Sequence, residues 1–269
     1  FNSEKIPAKL FEIIKKHYPD FTGKGLNKEK VFVKLYPGKT YNDAVMRGVF
    51  SDMLKLIENF LLFENFKKDE FKMRVQLMDE FSKRKLLKLY EKNLNKAETI
   101  LNAGDAHDIE YYRNKLRIEQ SKRVNEMIHK DIYVNTQSTE QLISDITTLI
   151  FLMEMIFKNL QLINLQKKND YKYDLNFEEE IDRFLEGSGS KYLDNNYIKY
   201  YYYTFRLLRT NDEKYYILLK EFAYSGSGGL SLLEIRDIYT ALLNYCYFKL
   251  SAGEDNFVRE LFLLITKMV

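Results

Sequence analysis

Glycine and proline are too scarce in this chain for a fold that needs frequent turns. The 269 residues include 11 glycines and 3 prolines, whereas β-sandwiches and barrels need such residues at many strand connections. Apolar residues recur at steps of three and four, as along Leu87, Tyr90, Leu94, Ala97 and Leu101, and no segment shows a convincing period of two. The sequence therefore predicts an all-α protein with no sheet.

Capping residues indicate where several of these helices begin. Asn42 is expected to cap a long helix, because an asparagine side chain accepts hydrogen bonds from the first free backbone N–H groups. Two capping boxes are predicted, Ser138 with Gln141 and Ser231 with Glu234. Each precedes a strongly apolar helix.

The C-terminal part has a regular spacing of helix pairs. The helices that start near Asn195 and Ser231 begin 36 residues apart, close to the tetratricopeptide period of about 34 residues. We therefore expect an α-solenoid of antiparallel helix hairpins, a tetratricopeptide-like superhelix. Bulky Tyr200–Tyr203 stand where tetratricopeptide helices carry compact residues, so the likeness is one of architecture.

Charge divides the chain into two parts. Residues 1–104 carry 21 Lys/Arg and 14 Asp/Glu, and residues 105–269 carry 21 and 25. We expect a basic N-terminal helical region, 1–104, continuous with a helical-repeat region, 105–269. Gly104-Asp105 marks the break between them.

One long apolar segment and one cysteine bear on the cellular compartment. The segment from Ile146 to Leu165 contains Glu154 and Lys158, which a bilayer span tolerates poorly, so a buried helix is expected and no membrane span. Cys246 has no second cysteine to pair with, which fits a reducing, cytoplasmic location.

The last helix carries an apolar face at the end of the sequence. Its expected members are Phe257, Leu261, Leu264, Ile265 and Met268. Terminal repeats of solenoids normally present a polar outer face. We expect either an array truncated at residue 269 or self-association through this face.

Three stretches carry a resemblance to a known family. They are LYPGKTYNDAVMRGVFSDMLKLIENFL (35–61), KYLDNNYIKYYYYTFRLL (191–208) and RDIYTALLNYCYFKLSAGEDNFVRELFLLITKM (236–268). Together they resemble an uncharacterised family of bacterial all-helical, tetratricopeptide-like repeat proteins. The resemblance implies an α-solenoid extending beyond residue 269, and it implies no catalytic or binding residues.

Residues with catalytic or metal-binding chemistry are few and isolated. The three histidines, His17, His107 and His129, lie near helix ends. His107 stands beside Asp105 and other acidic residues, but these fit a helix start better than a metal site. Cys246 lies in an apolar helix and is expected to be a small core residue. The sequence predicts no catalytic activity, metal or cofactor.

A tyrosine-rich cluster is the first candidate binding surface. Four consecutive tyrosines point in four directions around a helix, so at least one is expected to face solvent or a groove. The alternative is that most are core residues whose hydroxyls reach the rim. The cluster consists of Tyr197, Tyr200, Tyr201, Tyr202, Tyr203, Tyr215 and Tyr216.

A basic segment near the N-terminus is the second candidate. A short helix, a Pro-Gly turn and a long helix faintly resemble a helix-turn-helix, which would bind nucleic acid. A solvated lysine-rich surface explains the same residues. They are Lys24, Lys28, Lys30, Lys34, Lys39 and Arg47.

Taken together, these patterns favour a protein–protein interaction scaffold whose partner the sequence does not name. Helical arrays create long binding surfaces that require no catalytic groups. Nucleic-acid binding through the basic N-terminal helices is the alternative hypothesis.

Overall fold

A computed structural model describes residues 5–22, 24–104, 106–129, 137–169, 171–225 and 228–268. Within these residues it contains twelve α-helices, two short 3-10 helices (Lys24–Leu26 and Ser190–Asp194) and no strand, which confirms the all-α prediction. The α-helices are α1 (Lys5–Lys15), α2 (Lys28–Leu35), α3 (Asp43–Lys68), α4 (Glu70–Lys83), α5 (Leu87–Leu101), α6 (Ile109–His129), α7 (Gln137–Lys168), α8 (Glu178–Glu186), α9 (Asn196–Thr210), α10 (Glu213–Ser225), α11 (Leu232–Ser251) and α12 (Phe257–Met268).

Side-chain caps start the helices largely where the sequence indicates. The Asn42 side chain accepts hydrogen bonds from the first turn of α3. At α11, Ser231 N–H donates to Glu234 at 2.7 Å and Glu234 N–H donates to Ser231 Oγ at 3.3 Å, so this capping box is confirmed. The other predicted box is wrong, because Ser138 is already inside helix α7.

The chain forms two compact units, residues 1–73 and 74–269. The boundary lies within α4. The division that the sequence analysis placed after residue 104 lies inside the second unit, in the loop between α5 and α6. The position at which the net charge of the chain changes therefore differs from the position at which one compact unit ends and the next begins.

The first unit is a three-helix cluster. Helix α1 packs against both α2 and α3, and their apolar faces enclose a small core. From Leu54 to Lys68, no side chain of α3 is buried, so only the first half of that long helix contributes. The buried residues are Leu10, Val31, Phe32, Leu35, Met46 and Val49.

The second unit holds the main core. Helix α9 packs against α7, α10 and α11, and α12 packs against α11, while α5, α6 and α7 pack in sequence. Only Asn211 and Asp212 connect α9 to α10, and Asn211 adopts the left-handed conformation (φ 52°) that ends α9. Because these two helices pack side by side across so short a turn, they run antiparallel.

Leu219 on α10 tests this core. It is 0% exposed, whereas Leu232 at the start of α11 is 87% exposed. We expect Leu219→Ala to lower the free energy of unfolding by roughly 2–5 kcal/mol, because it leaves a cavity. The matched change Leu232→Ala should cost less than about 0.5 kcal/mol. Urea unfolding followed by circular dichroism measures both, and equal losses would contradict the assigned core.

Candidate functional site

The tyrosine cluster is mainly core, not an exposed surface. Five of its seven residues are buried, and Tyr201 and Tyr203 are half-buried. The reason is tertiary: α9 has neighbours on several sides, so consecutive side chains all meet another helix. Burial favours the core alternative for five of the residues, and a binding role for the half-buried Tyr201 and Tyr203 stays a prediction. The five buried members are Tyr197, Tyr200, Tyr202, Tyr215 and Tyr216.

Carboxylates at the edges of the core accept hydrogen bonds from these tyrosines. Tyr202 donates to Asp182 at 2.6 Å, and Arg206 pairs with the other oxygen of Asp182 at 2.7 Å. Tyr216 donates to Glu260 at 3.0 Å. Burial raises the pKa of Tyr201 to about 12, so its hydroxyl stays protonated near neutral pH. Tyr202 and Tyr216 thus join helices through their hydroxyls.

A polar cleft lies beside the start of α9, in the second unit. It has a volume of about 440 Å³ and combines residues from far apart in the sequence. Asn195 organises it: its Oδ1 accepts from the N–H groups of Tyr197 and Ile198, and its Nδ2 donates to Tyr112 of α6 at 2.8 Å. The lining residues are His107, Tyr112, Asp145, Leu149, Lys191, Tyr192, Asp194, Asn195, Asn196, Tyr197, Gly228 and Gly229.

Asp145 is the most constrained charged group of this cleft. Its Oδ1 accepts hydrogen bonds from Lys191 (2.9 Å), Tyr192 (3.1 Å) and Gln141 (3.1 Å). The Lys191 ammonium, followed by the other donors, lowers the pKa of the Asp145 carboxyl. Asp145 is therefore a fixed negative charge at neutral pH.

Sequence reasoning did not find this cleft. Its residues lie on α6 and the loop before it, α7, the 3-10 helix Ser190–Asp194, the start of α9 and the loop before α11, so no local motif contains them. The only local signal is the polar run Asp194-Asn195-Asn196 directly before an apolar helix, and it reads first as a cap.

Helix α12 carries its exposed apolar residues on another face than predicted. Phe257 and Leu264 are buried against the core, and Leu261 is half-buried. Ile265 is exposed, and the Met268 side chain lies outside the described residues. The outward stripe consists instead of Val258, Phe262 and Ile265, which are 53%, 72% and 42% exposed. The helix is apolar on two sides, so the sequence did not determine which side packs on α11.

The basic residues of the first unit are exposed but partly neutralised. The Asp43 carboxylate forms an ion pair with Arg47 at 3.0 Å and lies 3.9 Å from the Lys28 ammonium. Lys30, Lys34 and Lys39 remain on the surface, while the Lys24 side chain lies outside the described residues. The remaining positive surface is therefore smaller than the sequence suggested.

Histidine and cysteine occupy structural positions. His107 stacks on Tyr111 with ring centroids 4.2 Å apart. The Cys246 thiol is buried and donates to Tyr216 Oη at 3.6 Å, and burial raises the pKa of this thiol. Among the described residues, no three His, Cys, Asp or Glu side chains are grouped as metal ligands; Asp105 is outside that set.

One helix of the described chain meets the length and composition criteria for crossing a membrane. It is α7, and the core helix of a soluble protein passes the same test. Its buried residues, which include Leu152, Met153 and Ile156, belong to the main core.

Comparison with known proteins gave no match. No protein-family model, curated protein or solved structure is similar to this chain. Functional inference therefore depends on the geometry of these surfaces.

Tyr202 tests the structural role of the phenols. Tyr202→Phe removes the hydroxyl that donates to Asp182, so we expect the free energy of unfolding to fall by about 1–2 kcal/mol. Tyr247, which is exposed, is the matched control, and Tyr247→Phe should change stability by less than about 0.5 kcal/mol. If Tyr202→Phe were neutral in thermal unfolding, the hydrogen bond would not stabilise the fold.

The contacts of the Glu260 carboxyl predict that the fold becomes less stable in acid. Hydrogen bonds from Lys220, then from Tyr216, lower the pKa of its carboxyl. A lowered folded-state pKa stabilises the protein above the unfolded value of about 4.5, and this contribution is lost as pH falls.

We therefore expect Glu260→Gln to cost about 1 kcal/mol at pH 7 and the difference from the unmodified protein to shrink towards pH 3. Denaturant titrations across this range measure the difference, with exposed Glu91→Gln as control. A difference that grows on acidification would contradict this assignment.

Proposed function

We propose that this protein is a protein–protein interaction scaffold. The observation that supports it is the exposed apolar stripe of α12, Val258, Phe262 and Ile265. These residues follow one another at i, i+4 and i+7, the spacing by which an apolar helix face packs against another helix. Water contact with such a stripe is unfavourable, so covering it by a partner would stabilise a complex.

The arrangement of the last four helices supports an array of the tetratricopeptide-like type. Each helix from α10 to α12 packs against the one before it, and α11 also packs against α9. The same relation between alternate helices recurs in stacked hairpins. In this proposal, a partner helix contacts the outer side of α12 as another hairpin of the array would.

We further propose that the scaffold is non-catalytic and cytoplasmic. Burial raises the pKa of the Tyr202 phenol, which donates to Asp182, and that of the Cys246 thiol, which donates to Tyr216, and such groups suit structure more than catalysis. One cysteine in the sequence fits a reducing compartment.

Nucleic-acid binding is the weaker alternative. A binding surface for phosphates needs several cations that are not neutralised by their neighbours. Lys28 and Arg47 lie beside Asp43, which leaves Lys30, Lys34 and Lys39 as the basic surface.

Phe262 tests the scaffold proposal. Phe262→Glu places a charge in the centre of the stripe, so capture of partner proteins from the host should fall by at least about tenfold. The control is Leu232→Glu, which adds the same charge at another exposed position. Quantitative mass spectrometry of captured proteins measures the change, and melting temperatures confirm that both variants fold.

Two results would contradict the proposal. One is capture of the same partners at the same level by Phe262→Glu. The other is nucleic-acid binding in a gel-shift assay whose affinity falls steeply with salt, because this dependence reports phosphate contacts.

A further inference from the structure

The polar cleft beside α9 uses several of its donors in hydrogen bonds within its own walls. Tyr197 already donates to Gly229 O at 2.9 Å, Asn196 Nδ2 donates to Gly228 O at 2.9 Å, and Tyr192 donates to Asp145. The Asn195 side chain already caps α9 through its Oδ1 and donates to Tyr112 through its Nδ2. The walls of the cleft are thus held in place before any ligand arrives.

Three oxygen-bearing groups remain available. Among the described residues, no hydrogen bond reaches Asp145 Oδ2, the Asp194 carboxylate or Asn196 Oδ1. Among the described lining residues Lys191 is the one Lys or Arg, and it already contacts Asp145. A group that satisfies this set has to bring several N–H donors and a positive charge.

Aromatic faces accompany these acceptors. Tyr192 and Tyr197 line the cleft together with His107; the Lys191 ammonium lies 5.1 Å from the centre of the Tyr192 ring, and His107 is stacked on Tyr111. A guanidinium group stacks on such rings and presents five N–H donors in one plane. An ammonium group also fits the charge and lies over an aromatic ring, as Lys191 does over Tyr192, but it has three N–H donors and no planar face.

A second cavity continues the first. It has a volume of about 500 Å³ and shares Tyr197 and Gly229 with the cleft. Its lining adds Asp108 and Glu234, whose carboxylates accept from the backbone of the first turns of α6 and α11. Two neighbouring cavities suit alternate side chains of an extended segment, which point to the same side.

We propose that this double cleft binds a basic segment of a protein partner, with an arginine side chain between Asp145 and Asp194. The inference rests on the proposed function, because it assumes a protein partner, but it concerns a different surface from α12. The cleft would select arginine by three properties of its side chain: a positive charge that carries several N–H donors, a planar guanidinium group and an apolar stem.

The experiment uses the whole chain and a defined probe. Acetyl-Arg-Ala-Arg-amide is titrated into the protein by calorimetry or NMR, beside the same peptide with citrulline at both positions. Citrulline keeps the shape and most N–H groups but removes the charge, so we expect its affinity to be at least about tenfold lower. The affinity for the arginine peptide should also fall with salt.

Substitutions in the cleft make the test specific. Asp194 is exposed, so the Asp194→Asn variant should fold normally. We expect this variant to bind the arginine peptide at least about fivefold more weakly. Asp145→Asn should weaken it similarly, with melting temperature as the check on folding. Asp174→Asn, an exposed acid outside both cavities, is the control and should bind as the unmodified protein does.

The outcomes separate this inference from the scaffold proposal. Equal binding of the citrulline peptide, no measurable binding of the arginine peptide, or unchanged binding in Asp194→Asn would overturn the arginine site. Phe262→Glu should bind the arginine peptide normally. If peptide binding fails while Phe262-dependent capture of partners persists, the cleft inference is wrong and the scaffold proposal stands.

Discussion

Enclosure of helix α9 by α7, α10 and α11 is the constraint on which the second unit depends. A helix with neighbours on several sides cannot keep a simple apolar stripe, because almost every position meets another helix. Tyrosine suits such a helix, since its ring fills the core while its hydroxyl reaches the edge. Tyr197, Tyr200 and Tyr202 are buried in this way. Their hydroxyls then require acceptors, which fixes where the neighbouring polar groups stand.

Those acceptors connect the core to the surrounding helices. Asp182 on α8 accepts a hydrogen bond from Tyr202 and forms an ion pair with Arg206. Glu260 on α12 accepts a hydrogen bond from Tyr216 and forms an ion pair with Lys220. Each carboxylate thereby joins elements that are distant in sequence. A buried phenol without such a partner would be costly, so the polar rim supports the packing of the aromatic core.

Surfaces suited to partners lie where this packing ends. The cleft forms where the start of α9 meets α6, α7 and the loop before α11, and Asn195 holds the start of α9 to Tyr112. The apolar stripe of α12 is exposed, whereas Phe257 and Leu264 of the same helix are buried. One is a cleft lined by polar and aromatic residues and the other is an exposed apolar helix stripe, so in the two proposals they contact different parts of a partner.

The sequence by itself determined the helical class and many helix ends, because periodicity, scarce glycine and proline, and caps such as Asn42 and Ser231 act within a few residues. It also identified the tyrosine cluster, but it left open whether these residues lie in the core or on the surface. Only the tertiary structure decided that they are mainly core, since burial depends on how many helices surround α9. It likewise decided which side of α12 faces out, because Val258 and Leu264 are equally apolar in the sequence. The cleft needed the fold entirely: Asp145, Lys191 and Tyr112 become neighbours through packing, and no local spacing records contacts between distant segments.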